Sequence, residues 1–259
     1  MPSESVFCHH ALAIAKDVQR ASFPRHPPEI PGVTCRTVYR PAQSVGGDYY
    51  DFLQLADGGW GIAIGDVSGK GVGAALVMAS LQASLRTQAL HTKQPIEAIM
   101  ANLNETICEF APEQFFASLF YGEYQPATRI LNYVNAGHDA PIVVRRKHAE
   151  EEVMLLKATC VPIGVISGSK YTVTSFQFEC GDVLVACTDG VTDSESVEGK
   201  LFGQDRLEHV LHRSRLDDPQ HTLDDIIREL TSHSAGHSQM DDITILVMQV
   251  GTYGGETTT

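Results

Sequence analysis

The chain has 259 residues, 43% of them hydrophobic and 20% charged, an ordinary composition for a soluble globular protein with one large core or two small ones. A formal net charge of −13 argues against binding to nucleic acid or anionic membrane, both of which call for basic surfaces. No apolar run is long enough for a secretory leader or a membrane span.

The six cysteines (Cys8, Cys35, Cys108, Cys160, Cys180, Cys187) form no CxxC pair, which fits a reducing cytoplasm. Cys180 and Cys187 flank one strand-like segment and read as buried small hydrophobes.

Residues 4–22 read as a helix with Phe7, Ala11, Ile14, Val18 and Ala21 on one stripe. That stripe either packs on the helix's own domain or serves as a docking or dimerising face. Pro24, Pro27, Pro28 and Pro31 follow as an extended linker. Strands are expected at 33–40, 49–55 and 60–66, the last two joined as a hairpin by Asp57-Gly58-Gly59.

A helix from about Val72 to His91 is apolar on most sides (Ala74, Ala75, Leu76, Val77, Met78, Leu81, Leu85) and should be well buried. A second helix starts near Pro95, a good first-turn residue. It turns Ile96, Ile99, Met100, Leu103, Ile107 and Phe110 inward, and Glu97, Asn104, Glu105 and Glu109 outward. Strands return at 115–124, 129–135, 141–146, 153–157, 171–179 and 182–188. Residues 203–216 and 222–234 read as helices, the second with Thr222 as N-cap and Asp225 three residues on. A last strand runs from Asp242 to Val250, and 251–259 reads as a disordered tail. Strand runs interrupted by helix pairs predict an α+β fold with helices covering sheet faces.

The stretch from Ile62 to Gly73 joins a buried apolar strand to one carboxylate, Asp66, and then a glycine-rich turn into a helix. The glycines let backbone come close to whatever the Asp holds. Gly46-Gly47-Asp48, Thr188-Asp189-Gly190 and Asp241-Asp242-Ile243-Thr244 repeat the theme of an Asp at a strand end. Any single Asp-Gly is most simply a turn; the four together read as one acidic metal site. Mg²⁺ and Mn²⁺ are held by such hard oxygens. Two carboxylates about 4 Å apart repel by roughly 1–4 kcal/mol, so without a cation the cluster should loosen or take up protons.

Two rival readings of the glycine stretch fail. A phosphate-binding P-loop needs GxxxxGK[ST], but Gly65 stands one residue too close to Gly69-Lys70 and Gly71 replaces the Ser or Thr. A dinucleotide site matching Gly69 to Ala74 would need a second parallel strand about 20 positions on, where a second helix is expected instead.

These residues resemble a known family. Arg40-Pro41-Ala42, Val45 to Asp51, Gly65 to Gly71, Asn135-Ala136-Gly137-His138, Thr188 to Asp193 and Asp241 to Thr244 run in the order of the metal-dependent protein phosphatases (PPM). The likeness is to the bacterial SpoIIE/RsbU-type serine/threonine phosphatases in particular, and it spans Gln19 to Val250. It implies an αββα sandwich of two antiparallel sheets flanked by helix pairs. Residues 1–31 would be an N-terminal helix and linker, and 32–250 the catalytic domain.

By position, the resemblance implies that Asp66 bridges two Mn²⁺ or Mg²⁺ ions and that the Val67 carbonyl completes the first ion's shell. Asp189 and Asp241 would ligate the second ion, and Asp48 would hold a metal-bound water. His138, Gly65 and Gly69 would support the site, although a plain structural hydrogen bond suits His138 equally. Asp242 should point away from Asp241 and act as a cap or outer support. Lys70 stands where many branch members have His, and reads as an exposed turn residue.

The implied reaction is in-line hydrolysis of phosphoserine or phosphothreonine by a metal-bridging hydroxide. Ser68 occupies the place of the general-acid histidine of eukaryotic relatives, so the proton donor has no assignment. The implied substrate is a STAS-type anti-sigma-factor antagonist. An activator or a second copy of the chain would dock on the N-terminal helix, and the helix pair 72–110 would act as a switch on the metal site. Two other readings compete: a pseudophosphatase that binds without turnover, and a phosphatase of broad substrate range.

Overall fold

A computed structural model describes residues 4–147 and 150–252. It contains two five-stranded antiparallel sheets among those residues. One has the order β1 (Val33–Arg40), β10 (Ile243–Val250), β9 (Val183–Cys187), β6 (Ile142–Lys147), β7 (Glu150–Leu155). The other has the order β2 (Tyr49–Gln54), β3 (Trp60–Val67), β4 (Ala117–Gln125), β5 (Ile130–Ala136), β8 (Thr174–Gln177). The helices are α1 (Glu4–Ser22), α2 (Val72–His91), α3 (Ile96–Phe110), α4 (Asp189–Thr192), α5 (Gly203–Arg213) and α6 (Pro219–His233).

The layers follow from three apolar clusters. Ile62, Ile64 and Phe120 of the second sheet meet Leu184, Leu246 and Met248 of the first, forming the inter-sheet core. The opposite face of the second sheet (Ala63, Leu119, Tyr121) buries against Met78, Leu81, Ile99 and Leu103 of α2 and α3. Val185, Ile245 and Val247 of the first sheet bury against Leu207, Leu211, Ile226 and Leu230 of α5 and α6. Both sheets are therefore covered on both faces, and central strands such as β9 are buried along their whole length. Each fully buried Leu, Ile or Phe contributes about 1.5–3 kcal/mol of transfer free energy. The αββα sandwich expected from the family likeness is the observed fold.

Several local expectations change. α6 begins three residues before Thr222: Asp218 is the N-cap, its side chain accepts from Gln220 N, and Pro219 opens the first turn. Thr222 is buried within the helix. Asn104 is fully buried rather than outward; it donates to the Ile166 carbonyl and accepts from Gly164 N and Tyr171 OH. That last bond draws Tyr171 towards α3, and β8 shortens to Thr174–Gln177. Cys187 is buried, but Cys180 is exposed. In α2, Leu76 is 65% exposed although Ala74, Val77, Met78, Leu81 and Leu85 are buried.

α1 stands largely outside the sandwich. Ala11, Ile14, Val18 and Ala21 are all exposed, so the stripe does not pack on its own domain. The Phe7 side chain and residues 253–259 of the expected tail lie outside the described residues.

Candidate metal centre

The four aspartates converge because each sits where a strand of one sheet ends at the same rim. Asp48 precedes β2, and Asp66 is the second-last residue of β3, its neighbour. Asp189 follows β9 and opens α4, a single turn; Asp241 lies just before β10, which pairs with β9. Each sheet thus supplies two acids. Asp66, Asp189 and Asp241 line an open cavity of about 290 Å³ together with Gly69, Lys70, Ser118, His138 and Asp139. Asp48 lies behind this wall, 1% exposed.

Bonds across the sheets fix the arrangement. Thr188 and Thr244 both donate through their hydroxyls to Asp48 Oδ2, at 2.8 and 2.5 Å. Asp242 points away from the cavity, as expected of it: Oδ1 accepts from Ala42 N and Oδ2 from Gly47 N, each at 2.7 Å. Gly47 must lack a side chain, because a Cβ there would lie 2.7 Å from the Val67 carbonyl oxygen. Gly65 is equally constrained, a Cβ there meeting the Ser118 carbonyl at 2.5 Å. Gly69 takes a φ of 89°, which only glycine adopts freely.

The electrostatics are those of buried acids crowding one another, with Lys70 as the one cation paired to an acid in the cavity lining. Burial, then Asp48, Asp189 and Asp241, push the Asp66 pKa up to about 9. Burial raises Asp48 to about 7 against the two threonine hydroxyls, with Asp242 and Asp189 adding to the rise. Burial and Asp241 raise Asp189 to about 6.

Among the described residues, no three acidic, His or Cys side chains close on one point as a finished cage. The donor chemistry nevertheless suits Mg²⁺ or Mn²⁺: hard carboxylate oxygens around a cavity with room for water. Asp66, Asp189, Asp241 and the Val67 carbonyl would be the holders, with Asp48 behind.

His138 does reach the cavity. Its Nδ1 lies 2.9 Å from Ser118 Oγ, and its backbone N donates to Asn135 Oδ1. Nε2 is buried with no hydrogen-bond partner among the described residues. Burial lowers its pKa to about 4, so it is neutral at physiological pH.

Sequence reasoning missed several supports. Thr188 and Thr244 belong to the motifs but were not assigned to Asp48; their places one residue before Asp189 and two after Asp242 were the available signal. Gln19 of α1 was missed altogether. Its Nε2 donates to the Gly46 carbonyl and its Oε1 accepts from Gly46 N, at 2.7 and 3.1 Å. Lys70 is exposed, as expected, and it also forms an ion pair with Asp241.

The family model for Stage II sporulation protein E (SpoIIE) matches residues 56–251. The chain belongs to the SpoIIE family. Among curated relatives, Protein IcfG of Synechocystis sp. is 29% identical over 92% of this chain and 41% of its own length. Phosphoserine phosphatase RsbU of Bacillus subtilis is 26% identical over 92% of this chain and 69% of its own. Phosphoserine phosphatase RsbP of the same organism is 25% identical, and the chain spans 57% of it.

Solved structures agree on the fold. The SiaA-PP2C domain of Pseudomonas aeruginosa superposes with a TM-score of 0.80 at 23% identity, covering 96% of this chain and 99% of that one. The RsbU and RsbW domains of Rv1364c from Mycobacterium tuberculosis give 0.71 at 24% identity, covering 86% and 61%. The SpoIIE-family sandwich seen here is thus the PP2C phosphatase fold.

Proposed function

We propose that this chain is a metal-dependent protein phosphatase that hydrolyses phosphoserine or phosphothreonine on a regulatory protein. The observation that carries the reading is the meeting of Asp48, Asp66, Asp189 and Asp241, two from each sheet, in one site where the acids outnumber the single cation, Lys70. Bound there, Mn²⁺ or Mg²⁺ would neutralise phosphoryl charge and make water a competent nucleophile at neutral pH. Thr188 and Thr244 hold Asp48 in place, Asp242 holds the Gly47 backbone, and Gly47 lets backbone approach Val67. His138, neutral and tied to Ser118, shapes the wall and carries no charge to the substrate.

The family likeness points to a phosphorylated STAS-type antagonist of an anti-sigma factor as the substrate. Two of the relatives above are named phosphoserine phosphatases, which supports the reaction class. The exposed stripe of α1 supports the docking of an activator or a second copy. A single catalytic domain at 32–250 follows from the same reading.

Phosphate release from a phosphorylated STAS protein, with and without Mn²⁺, tests the proposal. Metal-dependent release that falls at least about a hundredfold in Asp66→Asn is expected. Metal binding by wild type without release, even with an activator present, would instead make it a pseudophosphatase. Equal rates on an unrelated phosphoserine peptide would favour a broad substrate range.

A further inference from the structure

We propose that Lys70 is an internal counter-ion for Asp241 that competes with a divalent ion for that carboxylate. The proposal rests on the metal-dependent reading above. Lys70 Nζ lies 2.8 Å from Asp241 Oδ2 and also donates to the Met240 carbonyl. Among the described residues lining the cavity, Lys70 is the one with a fixed positive charge. It faces Asp66, Asp139, Asp189 and Asp241 there, and one ammonium offsets half of what a divalent ion would.

The backbone holds Lys70 at this rim. Gly69 and Gly71 on either side take φ values of 89° and 72°, conformations that a side chain resists. A Cβ at Gly71 would also meet Gln43 Oε1 at 2.6 Å. Just before the turn, Ser68 donates to the Gln114 carbonyl and accepts from Phe116 N. The turn is thus pinned, and only the flexible four-carbon stem can move.

The ammonium and a metal would compete for the same negative charge. Nζ, 2.8 Å from Oδ2, takes up one lone-pair direction of that oxygen, and its positive charge opposes a divalent ion brought to the same carboxylate at about 2.0–2.1 Å. The pair is also weak enough to yield. Both side chains are 37% exposed, and partly exposed pairs of this kind are readily exchanged. Uptake of an ion at Asp241 would therefore be opposed by the ammonium, and the measured affinity would be the net of the two.

Titration of Mn²⁺ into the metal-free full chain, followed by calorimetry, tests this without reference to activity. Lys70→Gln should bind Mn²⁺ at the site that includes Asp241 about fivefold more tightly than wild type. Lys170→Gln, the same charge change at a residue outside this cavity, should stay close to wild type. Unchanged affinity in Lys70→Gln, or an equal gain in Lys170→Gln, would overturn the competition. If wild type binds Mn²⁺, Asp66→Asn does not, and Lys70→Gln matches wild type, only this inference falls. If neither wild type nor Lys70→Gln binds, the metal reading falls and this one with it.

Discussion

Asp66 is surrounded by like charges and little water, and its proton affinity records that. In an unfolded chain an aspartate titrates near about 4; in the folded metal-free protein Asp189, Asp48 and Asp66 titrate at about 6, 7 and 9. Between those limits the folded state binds more protons than the unfolded one, so stability falls as pH rises. This contribution is fully present below about pH 4 and is lost as pH climbs through about 6 to 9. The metal-free protein should melt at a lower temperature at about pH 8 than at about pH 5. Mn²⁺ should add more to the melting temperature at the higher pH, because ligation takes deprotonated carboxylates. Thermal denaturation at constant ionic strength checks both; a melting temperature that rises with pH would contradict them.

At this same scale the acids were legible in the sequence, because each sits in a short motif at a strand end, and Asp48, Asp66 and Asp189 have glycine beside them. Their supports were not. Thr188 and Thr244 reach Asp48 from 140 and 196 positions away, a pairing that only the folded sheets create.

At the scale of elements, α2 is fastened by one buried anchor. Arg86 donates to both oxygens of Asp51, at 2.6 and 2.8 Å, and Tyr49 OH donates to the same carboxylate. Asp51 is fully buried and Arg86 is 40% exposed. Arg86→Met leaves the carboxylate without its cation and should cost about 2–3 kcal/mol in denaturant unfolding, below the range for a wholly buried pair.

α1 has a similar fastening at its C-terminal end. Gln19 grips Gly46, and Gln82 of α2 donates to the Ser22 carbonyl. Gln19→Ala removes both bonds to the loop that carries Asp48. It should weaken Mn²⁺ binding several-fold while leaving the melting temperature of the metal-free protein close to wild type, a split that calorimetry and thermal unfolding measure together. Helix and strand periods made most elements legible. The failures share a cause: one turn such as α4 has no period, and Asn104 is buried because its partners, Gly164, Ile166 and Tyr171, lie far along the chain.

For the whole molecule, motif order made the layered architecture legible through family likeness. Sheet order was not, since β1 pairs with β10 and β5 with β8 across most of the chain or past two intervening strands. Nor could the sequence decide which way α1 turns its apolar face. With Val18 66% exposed, Val18→Glu should leave stability within about 0.5 kcal/mol. The same change should abolish self-association or activator binding through this face, as sedimentation velocity would show. Loss of stability without loss of association would mean the stripe packs inward after all.

The division of the acids between the sheets makes the cavity a gauge of the distance between them. Each sheet has a buried centre packed between its partner sheet and a helix layer, and each carries two jaws of the grip. A relative slide far smaller than a side chain alters the bite on an ion while leaving every strand intact. A shift of an outer helix layer would therefore reach the four acids as a screw reaches the jaws of a caliper, with nothing entering the cavity.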